Sequence, residues 1–133
     1  MRHAWVVGLL ASLLFVSSGY LEMDVSDPGL RVPLERRAGL SLSDRDVYVS
    51  TVGGMKITEP AADLAIAIAI ASAVKDKPAK QSLAAFGEIS LSGEIRGVTN
   101  PALRQSEAKR LGHTKVIDSS SSQLAAAIAA ALS

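Results

Sequence analysis

From Leu64 to Ala71 each large aliphatic residue (Leu64, Ile66, Ile68, Ile70) is separated from the next by alanine, and two backbones fit that pattern. Strict alternation is the period of a strand. Three details favour a helix. Pro60 falls where a helix accepts proline, in the first turn, because the missing N–H there has no intrahelical partner. Thr58 or Glu59 can serve as cap or first-turn residue, and Glu59 and Asp63 place negative charge near the positive end of the helix dipole. The run from Pro60 to about Val74 is long for a strand and ordinary for a helix of three to four turns, and alanine is the best helix former. On a helix, Leu64 and Ile68 share one stripe, and Ile66, Ile70 and Val74 share its neighbour. A helix apolar nearly all round belongs in the middle of a domain.

The composition narrows the rest. A chain of 133 residues holds one domain with a modest core. A net charge of +1 permits nucleic acid without demanding it. With no cysteine, disulfide frameworks, zinc ribbons and thiol catalysis drop out together. The two histidines, His3 and His113, match no zinc spacing, so no metal ligand and no cofactor is expected. His113 reads as a surface residue between a helix and a strand.

Residues 1–20 differ in character from the remainder of the chain. Arg2 and His3 precede an apolar run, Val6 to Val16, and then Ser17, Ser18 and Gly19, a layout like that of a secretory signal peptide. The run is shorter than the about 20 apolar residues of a comfortable membrane span, so a membrane partner is not expected. An apolar helix packed on the domain, or an N-terminus left by truncation or a misplaced start, are the competing readings. Residues 21–45 read as an irregular linker or degenerate first helix, broken by Pro28-Gly29 and Pro33, with Leu34 to Leu40 at most a short helix ended by Gly39.

The organised domain is expected over residues 46–133. Val47 to Val52 is β-branched and aromatic and ends in Gly53-Gly54, a strand and turn. Met55 to Ile57 can continue as a short strand before the helix at Pro60. Lys75-Asp76-Lys77-Pro78 reads as a solvated loop. Leu83 to Ile89 and Leu91 to Ile95 read as two short strands with glycines at bends. Asn100 is the expected cap and Pro101 the first turn of a second helix closed by Gly112. Thr114 to Ile117 is a short strand, and Ser119 to Ser122 cap a last alanine-rich helix from about Gln123. The order β-α-β-β-α-β-α is α/β in class.

Val52 to Ala65, then Phe86 to Arg96, then Glu107 to Gly112 together resemble the Lon-protease-like, magnesium-chelatase subunit I-like domain family, in the form that ends the bacterial RadA/Sms DNA repair proteins. The resemblance runs from about Asp46 to Asp118. It implies a ribosomal protein S5 domain 2-like α/β sandwich, a ring-forming homo-oligomer or partnership with RadA-type motor subunits, a cytoplasmic place in recombinational repair, and a contribution to holding DNA. Family members carry further strands and a helix before the Asp46 equivalent, which residues 1–45 match poorly, so a truncated copy with an open sheet edge is expected.

The same resemblance bears on the enzyme alternative, a serine peptidase of the Lon type. That chemistry needs a hydroxyl whose proton a neighbouring lysine removes, and active relatives keep the serine in a Gly-Pro-Ser-Ala-Gly turn at the start of the central helix. Here the turn reads Glu59-Pro60-Ala61-Ala62-Asp63, so the nucleophile position is Ala61. The lysine position, counted back from Gly112, falls near Ala102. Catalysis is therefore not expected; Ser72, Ser90 and Ser92 read as structural hydroxyls. No Gly-x-x-x-x-Gly-Lys-Ser/Thr loop occurs to wrap a phosphate. For DNA, the expected contacts are Arg96, Arg104, Lys109, Arg110 and Lys115, since cations neutralise backbone phosphates. Aromatic residues that could stack on bases are scarce. An exported small protein is the remaining alternative.

Overall fold

In the computed structural model, which describes residues 3–8, 12–17, 28–40, 50–51, 60–75, 77, 79–80 and 83–132, the alternating run is helical. A 3-10 turn, Pro60–Ala62, leads into α2, Asp63–Lys75. Every residue from Leu64 to Ser72 is buried. Helical pitch sends the aliphatic side chains to all sides, and each side has a neighbour: α2 packs on strands β1 (His3–Gly8), β2 (Ser12–Ser17) and β4 (Leu83–Ala85), and on helices α1 (Pro28–Arg36) and α4 (Leu124–Leu132). Alanine at every second position lets those neighbours approach. At the far end, the Ser72 hydroxyl donates to the Lys77 carbonyl while Lys77 N–H donates to Ser72 O at 3.1 Å, which turns the chain back toward β4.

Among the described residues, five strands form a mixed sheet in the order β3-β2-β1-β4-β7, with β3 at Ser50–Thr51 and β7 at Lys115–Ile117. The pairs β1–β2 and β2–β3 are antiparallel; β1–β4 and β4–β7 are parallel. The parallel pair β4–β7 is joined by a crossover carrying helix α3, Pro101–Arg110, as parallel strands require. This is an α/β arrangement. A second, two-stranded antiparallel sheet joins β5, Glu88–Ile89, to β6, Ile95–Arg96.

Several local expectations change. The apolar run near the N-terminus is neither a helix nor a separate segment: β1 and β2 pair residue by residue from His3↔Ser17 to Gly8↔Ser12, and β1 continues into the sheet through Val7↔Ala84. Its periodicity alone cannot tell a buried strand from an apolar helix. Residues 28–36 are helix rather than broken linker. Pro28 is the first helical residue, where proline is tolerated, and Pro33 lies inside the helix, where the fully buried Pro33 and Leu34 pack into the core. Leu40 N–H returns to Leu34 O at 3.0 Å across Gly39, whose φ of +70° suits glycine. Organised structure thus starts well before Asp46. The stretches Val47 to Val49 and Val52 to Glu59 fall outside the described residues.

Two expected strands between Leu83 and Ile95 are three. Phe86 N–H still donates to Ile117 O of β7 at 3.1 Å, but Gly87 turns its backbone to α2 and ends the strand, and Leu91 to Gly93 form a turn: Gly93 N–H donates to Ser90 O, and Ser90 N–H to Glu94 O, both at 3.0 Å. Gly93, at φ +84°, lies so close to α1 that an added Cβ would stand 2.8 Å from Arg37 Cβ. Asn100 precedes α3 in a left-handed conformation with no side-chain cap bond, and the helix closes at Gly112, as expected. There Gly112 N–H donates to Lys109 O and His113 N–H to Ala108 O, the paired bonds of a Schellman ending. The serine run forms a 3-10 turn, Ser119–Ser121, capped by Asp118, and α4 begins at Leu124.

Substitution in the core is expected to be costly. Ile68→Ala, at a fully buried site, should lower stability by about 2–5 kcal/mol, while Ser106→Ala, on exposed α3 surface, should stay within about 0.5 kcal/mol. Urea midpoints at unchanged slope read both.

Candidate functional site

The turn that opens α2 is built from backbone. Gly87 N–H donates to Ala61 O at 2.9 Å, and Gly87 O accepts from Leu64 N–H at 3.1 Å. The Asp63 carboxylate, in the first helical turn, accepts from Ile89 N–H at 3.2 Å. Three bonds therefore fasten the start of α2 to Gly87, between β4 and β5, and to Ile89 of β5. Glycine is required at the middle one, because a Cβ on Gly87 would stand 2.7 Å from Ile95 Cγ2. Within this bracket Ala61 is buried, at 4% exposure. A methyl group there offers neither a lone pair nor a proton. Ala102 lies exposed in the first turn of α3 and likewise supplies no base.

The structure separates the cations that the sequence groups. Arg96 is exposed on β6, opposite Glu88 across the strand pair, where opposite charges attract. Arg104 is a buried residue, its Nε donating to Thr99 O at 2.8 Å, so it ties down the approach to α3 instead of facing solvent. Lys109 is exposed. Arg110 grips Glu107 one turn back, its Nε donating to Oε2 at 2.9 Å and its second nitrogen to Oε1; this bond holds the Glu107 carboxyl below the usual carboxylate range. Lys115 is half-buried at the start of β7, with Nζ 3.5 Å from Ala130 O. Lys80, which sequence reading passed over, lies against it. The neighbouring Lys80 side chain, and after it burial, lowers the Lys115 pKa. Only the β4–β7 pairing reveals that proximity.

A second cluster joins α3 to the turn before α4. Asp118 accepts from Ser120 N–H at 3.0 Å and from the Gln105 side-chain amide at 2.8 Å. Burial alone would raise its pKa; the hydrogen bonds from Ser120 and Gln105 outweigh burial and hold it below the ordinary aspartate value. His113 is half-buried in the α3 ending. Among the described residues no three His, Asp or Glu side chains gather into a metal-holding group, and no helix is long and apolar enough to cross a membrane.

The sequence model of the family described as subunit ChlI of Mg-chelatase matches residues 36–122, which covers the bracketed turn, the β5–β6 hairpin and α3. The chain belongs to the Mg-chelatase ChlI-subunit family. Among individual proteins, it is 53% identical over 83 residues to the DNA repair protein RadA of Streptococcus pyogenes, 48% over 84 residues to that of Salmonella typhimurium and 46% over 84 residues to that of Escherichia coli. The matched part is 62–63% of this chain and 18% of each of these relatives. The ChlI-family match begins at Arg36, the last residue of α1, two positions after the buried Leu34.

The Asp118 cluster carries a pH signature. A carboxyl whose folded pKa is depressed stabilises the fold above its unfolded value of about 3.9 and loses that contribution as pH falls through the lower folded value. Asp118→Asn should therefore flatten the acid limb of a stability-against-pH curve below about pH 4, measured by thermal melts; an unchanged limb would show that Asp118 contributes nothing to acid stability.

Proposed function

We propose that this chain is a non-catalytic Lon-like scaffold or oligomerisation domain of a RadA-type DNA repair protein, acting in recombinational repair in the cytoplasm and adding weak DNA contacts of its own. The observation that carries the reading is the Ala61 turn: a segment about half identical to RadA proteins has, at the position where a related protease keeps its nucleophile, a buried methyl fastened by backbone bonds to Gly87. An unactivated position of this kind has lost the group on which such a peptidase depends. What it retains is a packing surface. The mixed sheet with α2 against it is compatible with the S5 domain 2-like sandwich, which we take as the finer description of the fold. Exposed Leu103 and Leu111 on and just after α3 suit a domain that meets copies of itself or a motor subunit, and closed rings are built from such repeated contacts.

Light scattering after size exclusion tests the assembly: the full chain should elute at a multiple of its 13.8 kDa mass, and a monomer at all concentrations that also fails to join RadA-type motor subunits would end the scaffold reading. Peptidase activity is the matching chemical test. The wild type and the Ala61→Ser variant should both leave casein intact, because the serine alone has no lysine to take its proton. Cleavage by the wild type would put the enzyme alternative first.

A further inference from the structure

We draw no further inference here: the strongest candidate, the exposed apolar surface of Leu103 and Leu111 on and just after α3, belongs to the assembly surface already proposed, and nothing in the structure shows what other partner covers it.

Discussion

Burial of one helix on all its sides is the constraint that the other elements answer. A residue pattern of alternating leucine or isoleucine and alanine sends apolar side chains around the whole circumference of α2, so no single layer could cover it. A sheet lies on one side and α1 and α4 on others. Alanine keeps these partners close, and the large aliphatics fill the space between, as dense interiors require. The core is therefore continuous from Leu34 in α1 to Ala131 in α4, and it draws in residues that, locally, look like linker.

The same helix sets what its first turn can do. The helix start is fastened to Gly87 by two backbone bonds and to Ile89 through Asp63. At its centre stands the buried methyl of Ala61. Polar side chains around the helix act as joints: Asp63 holds a strand amide, Ser72 closes the far end of α2, and Ser90 orders the hairpin turn by accepting from Glu94 N–H at 3.1 Å.

Electrostatics obey the same division. Formal charges that sit close in the sequence are distributed by the fold into different jobs. Arg104 is taken into the interior to hold Thr99, Arg110 is spent on Glu107, and Asp118 is spent on Ser120 and Gln105. Lys80 and Lys115, thirty-five positions apart by their numbers, become neighbours. A charge run in a sequence is thus a poor guide to a charged surface, because helix phase and strand pairing decide which side chains share a face.

Much of the order of elements was legible in the residues themselves. Pro60 ahead of a long apolar run favours a helix, and Pro101 and Gly112 bound another. These are local facts, settled by backbone sterics and by which atoms a side chain owns. The rest was non-local. The apolar run of residues 6–16 suits a strand as well as a helix until β4 offers an edge to pair with, Pro33 looks like a helix breaker until the core rewards its burial, and Gly87 looks like a bend until α2 approaches it. Which cations meet at one end of the domain was decided only when β4 and β7 paired in parallel, since that contact depends on chain closure over dozens of residues and leaves no trace in neighbouring sequence.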